Sequence, residues 1–390
     1  MLNVTTLLGG RPSSSDKLRY GHGSALRSGG ERRPVVVWNS TRRCNLACAH
    51  CYTDSTSRRY ENELDHEEAL AFIGDIAEFG SPALLMSGGE PLMRERVFEL
   101  IGHALDGGLS VTLSSNGTLI TEDVARRLAD LGVRYVGLSL DGLGEVHDRF
   151  RGRRGAFEKT MAGIRRLRAV GVPVGIRVTL TPTAIAALPD LFALAEREGV
   201  SRACFYHLVP SGRGRGQVPV TPAQAREAVE SIFGWAESLV ERESPITVLT
   251  VDNYSDGPAL YLRTRRRDPD QAERLWESLS WNGGSRNASG RGLAAVDWEG
   301  NVRPDQFWGG PLLGSIRQRP LSEIWTDPPA ELDALRTRRE SLTGRCTGCR
   351  FLAVCGGGLA SRSLGSAGDV MASDPGCVLT DAEIAEPAAV

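Results

Sequence analysis

Three cysteines stand together as Cys44-x-x-x-Cys48-x-x-Cys51. Four more gather near the end of the chain as Cys346-x-x-Cys349-x-x-x-x-x-Cys355, with Cys377 beyond them. Three thiolates on one short loop can hold three irons of a [4Fe–4S] cluster and leave the fourth iron open to a chelating substrate. The same spacing admits a zinc ion, with His50 as the near candidate for a fourth ligand. Four thiolates in the second group leave no open position, so it reads as a closed site, either Zn(Cys)4 or a fully ligated [4Fe–4S] cluster. The eighth cysteine, Cys204, lies alone in an apolar run and reads as a small buried core residue.

The elements that must position these groups follow from periodicity. Apolar β-type runs at Val35–Trp38, Ala83–Met86, Ser110–Leu113, Tyr135–Leu140, Val174–Leu180 and Ala203–Leu208 alternate with helical patterns near 66–79, 95–107, 122–131, 157–170 and 187–198. Short buried strands separated by helices of this length predict repeated βα units around a parallel sheet, an α/β fold. Six units suit either an incomplete (β/α) barrel or an open doubly wound sheet. The first cysteine group falls at the C-terminal end of the first strand, the end where parallel barrels place their active sites. After Pro210 the alternation stops. Residues 222–242 predict one more helix, and 255–290 show no clear period. A hairpin turning at Asp297–Asn301, a short helix near Leu321 and a cysteine- and glycine-rich tail from Gly344 follow. The expected divisions are an irregular lead-in at 1–34, a βα region at 35–216, a helical and irregular linker region at 217–290 and a C-terminal region at 291–390.

The 390 residues are 41% hydrophobic and 24% charged, with a net charge of −2. That near-neutral balance gives no footprint of a nucleic-acid binder. The basic run Arg263–Arg267 sits beside Asp268 and Asp270 and reads as a solvated helix end. Residues Met1–Lys17 lack the apolar core and cleavage site of a signal peptide, and no apolar run approaches the ~18–20 residues that span a bilayer. The expectation is a cytoplasmic protein, in which the cysteines are not disulfides.

The stretch from Thr41 to Tyr52, with its three cysteines, resembles the signature of the radical S-adenosylmethionine (SAM) superfamily. Ser87-Gly88-Gly89-Glu90-Pro91 resembles that family's Gly-Gly-Glu motif. The resemblance implies a radical SAM barrel in which Cys44, Cys48 and Cys51 hold the reactive cluster and Tyr52 contacts adenine. Gly88 and Gly89 would allow close backbone approach, and Glu90 would accept from the methionine ammonium. Ser115, Asn116, Ser139, Asp141 and Arg177, at or near successive strand ends, match positions that meet the ribose or the SAM carboxylate. Singly, Asn116-Gly117 suits a turn, Ser139 a satisfied hydroxyl and Arg177 a surface charge; in register they reinforce one another.

The tail resembles the SPASM/twitch extensions of the superfamily, which implies that Cys346, Cys349, Cys355 and Cys377 ligate one auxiliary [4Fe–4S] cluster. Residues 290–305 lack the further cysteines of relatives with two auxiliary clusters. Leu18–Gly21, Pro34–Asn39, Pro304–Trp308, Gly344–Cys346 and Asp374–Asp381 look like the haem-biosynthesis branch, the didecarboxysiroheme deacetylases and NirJ-like proteins. These act on tetrapyrrole side chains. The likeness departs after Cys355, where Gly356–Ser361 replaces an arginine-bearing segment and leaves Arg362 as the nearest arginine. A maturase of a ribosomally made peptide is therefore the alternative. The implied chemistry is reductive cleavage of SAM to a 5′-deoxyadenosyl radical that takes hydrogen from substrate, fed by an electron donor such as flavodoxin or ferredoxin. Tyr206, His207, Arg213 and Arg215 are candidates near substrate, with a structural histidine equally open for His207. The glycine-rich loop Ser211–Gly216 is expected to shape the SAM pocket through its backbone.

Overall fold

The computed structural model describes residues 1–12, 16, 33–281 and 289–385. All six expected strands form: β2 (Val35–Thr41), β3 (Ala83–Gly88), β4 (Ser110–Ser115), β5 (Tyr135–Ser139), β6 (Val174–Leu180) and β7 (Arg202–His207). Each pairs in parallel with the next, and an eighth strand in chain order, β8 (Thr247–Val251), pairs in parallel with β7. The sheet continues on both sides. β1 (Leu2–Asn3) lies antiparallel on β8, and β9 (Leu293–Val296) lies parallel on β2, followed by β10 (Asn301–Arg303) and β11 (Gly314–Ser315). The order β1-β8-β7-β6-β5-β4-β3-β2-β9-β10-β11 is that of an open mixed sheet, an incomplete barrel with a C-terminal extension grown onto its β2 edge.

Alternation along each strand separates two environments. Val36, Trp38, Leu84, Met86, Leu138, Ile176 and Phe205 are fully buried in the core beneath the helices. Burying each such side chain contributes about 1.5–3 kcal/mol. Residues of the opposite face run in register as Asn39 with Ser87, and Ser139 with Arg177 and Cys204. That face carries the polar groups, so the sheet itself sorts chemistry from core.

The connecting helices start where side chains can cap them. Asp65 and Glu68 form a capping box at His66–Glu78, Thr221 and Gln224 another at Pro222–Glu241, and Thr121 caps Glu122–Asp130. Each cap contributes about 1 kcal/mol.

Two regions differ from the sequence expectation. Within the stretch read as an irregular lead-in, Leu2–Asn3 pairs with β8 and Val4–Leu7 forms a buried helical turn. Residues 13–15 and 17–32, including the Leu18–Gly21 match, lie outside the described residues. The segment without visible period contains β8's neighbours, the helices Asp256–Arg265 and Pro269–Trp281. The basic run is ion-paired rather than merely solvated: Arg263 donates to Glu237 (2.7 and 2.9 Å) and Glu230 (2.5 Å), and Arg267 to Glu237 (2.9 Å). These pairs bolt that helix to Pro222–Glu241.

In the extension, the hairpin turns as expected, with Asp297 Oδ1 accepting from the backbone N–H of Glu299 and Asn301, both at 3.0 Å. The short helix forms at Leu321–Thr326, where Ser322 hydrogen-bonds Asp75 of helix His66–Glu78.

Candidate active site at the open ends of the strands

The loop carrying Cys44, Cys48 and Cys51 leaves the end of β2 and is pinned from three directions. On the β3 side, Gly89 N donates to Thr41 O (2.7 Å) and Glu90 N to Arg43 O (2.8 Å). Gly88 has φ +123°, and a Cβ at Gly88 or Gly89 would run into the carbonyl oxygens of Thr41 or Arg43. Only glycines allow this approach. On the β5 side, Ala49 N donates to Phe150 O (2.9 Å) and Ala47 N to Arg151 O (3.2 Å), at the end of helix Gly144–Arg151. From β7's loop, Arg213 donates to Cys48 O (2.9 Å) and Ser55 O (3.0 Å), and Gly212 presses against the Cys51 carbonyl. The loop Ser211–Gly216 thus acts through a guanidinium as well as its backbone. Among the described residues Arg215 makes no comparable bond, and its guanidinium lies beside Gly309.

The three thiols pack into one cluster with Leu46 and Ala156, and none is in a disulfide. Their sulfurs face polar hydrogens: Leu46 N at 3.4 Å from Cys44, Arg151 Nη1 at 3.5 Å from Cys48, and Ser55 N at 3.4 Å from Cys51. Burial pushes the Cys44 thiol up to about 12, with Glu90 adding to the effect. A thiolate here therefore needs a cation, which bound iron supplies. Among the described residues, no three His, Cys, Asp or Glu side chains converge as a single-ion site. The donor set fits an iron–sulfur cluster, whose irons occupy separate corners.

Around this loop the expected residues divide. Tyr52 turns to the polar face: its hydroxyl donates to Asn39 Oδ1 (2.7 Å) and meets Ser87 Oγ (3.1 Å), and its ring meets Phe307 edge-on at 5.3 Å. Arg177 lies on the same face with its guanidinium 4.6 Å above the Tyr206 ring. Asn116 reaches the cysteine loop, donating to Asn45 Oδ1 (2.8 Å) and lying 3.8 Å from Cys44 Sγ. Ser139 ends β5, level with Arg177.

Glu90 and Asp141 also tie elements of the site together. Glu90 is fully buried and accepts from Ser115 Oγ (2.9 Å), Asn116 N (2.8 Å) and Leu92 N (3.2 Å), tying the end of β3 to the end of β4. Burial pushes its carboxyl up to about 7 despite these donors. Asp141 is buried against Arg151 and accepts from Thr179 N (2.8 Å). Burial would raise its carboxyl, but the adjacent guanidinium holds it below the usual range. Arg151, with Nη1 3.5 Å from Cys48 Sγ, is the residue of this site that the sequence reading missed. Its signal is the i,i+4 pair His147/Arg151, the two buried residues of an otherwise polar helix.

The second cysteine group is assembled from four short segments. Burial pushes Cys349, Cys355 and Cys377 above the ordinary thiol value, while backbone N–H groups of Phe351, Gly358 and Leu379 bond the three sulfurs. Gly356, Gly357 and Gly358 are all left-handed, with φ of +67°, +87° and +76°. Arg338 gathers this loop, donating to Gly357 O (3.2 Å), Gly358 O (3.1 Å), Val370 O (2.5 Å), Ala372 O (3.1 Å) and Ser363 Oγ (3.0 Å). Arg362 is likewise committed, to Asp374 (2.8 and 3.1 Å) and Asp252 O (2.6 Å). The glycine run that departs from the haem-branch pattern therefore has a structural reason. His207 is buried and hydrogen-bonded between Asp256 (3.0 Å) and Asn253 (3.4 Å). Cys204 is buried beside Leu249 and Val251, as expected.

Residues 38–188 match the Radical SAM superfamily model, and residues 289–350 match SPASM, an iron–sulfur cluster-binding domain. Fe-coproporphyrin III synthase of Methanosarcina barkeri is 43% identical over 98% of this chain and 99% of its own length. The chain belongs to the radical SAM superfamily. Pre-heme d1 synthase of Dinoroseobacter shibae is 41% identical over 91% of this chain and 88% of its own length. The fold resembles that of Streptococcus suis SuiB bound to S-adenosylmethionine, with a TM-score of 0.71 and 17% identity over 90% of this chain and 78% of that one. As a radical SAM enzyme with a SPASM extension, it uses SAM and [4Fe–4S] clusters. No helix among the described residues is long and apolar enough to cross a membrane.

Proposed function

We propose that this radical SAM enzyme removes a carboxylate side chain from a modified tetrapyrrole in haem biosynthesis, in the cytoplasm, with a flavodoxin or ferredoxin as electron donor. The observation that carries the substrate is near-full-length identity of 43% and 41% to enzymes named for Fe-coproporphyrin III and pre-heme d1. The mycofactocin maturases, at 29%, are more distant. Cys44, Cys48 and Cys51 hold the first cluster, and Cys346, Cys349, Cys355 and Cys377 the second. When bound, the first cluster and SAM supply the 5′-deoxyadenosyl radical. Tyr52, Gly88, Gly89, Glu90, Ser115, Asn116, Ser139, Asp141 and Arg177 frame SAM, with Glu90 and Asp141 also bracing the strand ends. Arg177, stacked on Tyr206, is suited to a carboxylate of SAM or substrate.

Anaerobic incubation with SAM, reductant and didecarboxysiroheme, read by mass spectrometry, tests this reading. Loss of side-chain mass with matching 5′-deoxyadenosine supports it. No conversion, together with hydrogen abstraction from a peptide encoded beside the gene, overturns it.

A further inference from the structure

We infer that the buried pair Arg151–Asp141 sets the reduction potential of the first cluster, Arg151 raising it and Asp141 lowering it. This rests on the reading of Cys44, Cys48 and Cys51 as that cluster's ligands. Arg151 is 5% exposed and Asp141 1%. One end of the guanidinium, Nη1, lies 3.5 Å from Cys48 Sγ, while Nη2 donates to Asp141. The carboxylate in turn is fixed by Thr179 N on β6 at 2.8 Å. The pair is neutral overall but directional: its positive end touches a ligand sulfur and its negative end is turned away.

Holding the helix does not require this guanidinium. The backbone carbonyls of Phe150 and Arg151 already accept from Ala49 and Ala47, and Arg153 donates to Asn45 O at 3.0 Å. A buried ion pair is in general no more stabilising than apolar packing of the same volume, so its presence beside a sulfur needs another reason. Electrostatics gives one. Reduction by one electron from an external donor adds one negative charge to the cluster. A hydrogen-bonding cation at a ligand sulfur favours that added charge, and hydrogen bonds to sulfur are among the factors that set cluster potentials. The other ionisable groups facing this corner are Glu90, toward Cys44, Arg213, which donates to Cys48 O (2.9 Å), Arg153, which donates to Asn45 O (3.0 Å), and His50 and His147, both held neutral by burial. Arg151 is thus the cation in hydrogen-bonding reach of these thiols among the described residues.

The test is an EPR-monitored potentiometric titration of the reconstituted full-length enzyme, following the cluster signal that changes when SAM is added. Arg151→Met is expected to move its midpoint to more negative potential, Asp141→Asn to more positive potential, and Arg151→Lys to leave it near the parent value. A purely structural pair would not move the two variants in opposite directions. Equal midpoints at full iron content, or shifts of the same sign, overturn the proposal. If Arg151→Met does not load iron, Asp141→Asn decides alone: a positive shift supports the proposal, and an unchanged or negative one overturns it. Failure of the ligand reading shows separately, as a SAM-responsive signal that survives in Cys48→Ala.

Discussion

The two cysteine groups differ in what meets their sulfurs. The first is a loop clamped between strand ends and a helix, with a cation at one sulfur and a buried carboxylate, Glu90, close behind another. In the second, three sulfurs take neutral backbone N–H donors, from Phe351, Gly358 and Leu379, and the nearby arginines act on the loop's carbonyls and on Asp374. Both sites have backbone N–H donors at sulfur and arginines on loop carbonyls; a guanidinium hydrogen-bonded to a sulfur distinguishes the first. Three ligands with a tuned charge environment suit a cluster that must react, and four ligands in a glycine cradle suit one that must stay put. The loop after β8 anchors the second group to the barrel: Asn253 donates to Gly376 O (2.7 Å), and Val378 N donates to Ser255 Oγ (3.0 Å), on either side of Cys377.

This contrast can be broken at either end. The largest stability effect is expected for Arg338→Ala, which leaves four carbonyls, two of them buried, and a buried hydroxyl without their donor. A loss of about 3–5 kcal/mol in chemical unfolding should follow. Iron should fall from about eight per chain toward about four, with the SAM-responsive cluster retained. Loss of both clusters together would show that the sites are not held separately. Gly89→Ala should act on the other site, forcing a Cβ against the Arg43 carbonyl at a cost of about 1–3 kcal/mol. Here SAM-dependent spectral change should be lost while the second cluster's signal remains.

A smaller effect is expected from Glu90→Gln. The native carboxyl, at about 7 against an ordinary 4.5, keeps its proton where the unfolded chain has lost it. Its contribution to stability therefore declines as pH rises from about 4.5 to about 7. Glutamine should flatten that part of the curve in denaturation midpoints taken from pH 5 to 8. An unchanged slope would assign it to other groups.

The strands and helices of the barrel were legible because their residues face one core and one polar side, and periodicity records that division. Helix Asp256–Arg265 was not, because it is buried over most of its circumference and so carries no amphipathic period. β8, Thr-Val-Leu-Thr-Val, is short, and its partner β1 comes from the far end of the chain. The spacing of the cysteines marked two metal-binding groups without separating zinc from iron–sulfur, and Gly88-Gly89 marked a close backbone approach. What the sequence concealed was pairing. Arg149, Arg151, Arg153 and Arg154 read as one polar run, yet Arg151 alone of these is buried, against Asp141. Likewise, Glu90 reads as a ligand-binding acid, and the sequence does not show that Ser115 and Asn116, both buried with it, also donate to its oxygens.

The central claim is that SAM is cleaved at the three-cysteine site and not at the four-cysteine site. Anaerobic assay of 5′-deoxyadenosine in two variants tests it most directly. Replacing Cys44, Cys48 and Cys51 together with Ala should abolish its formation, while replacing Cys349 and Cys355 should leave cleavage uncoupled from substrate turnover. A folded variant that lacks the first three cysteines and still makes 5′-deoxyadenosine would contradict the account.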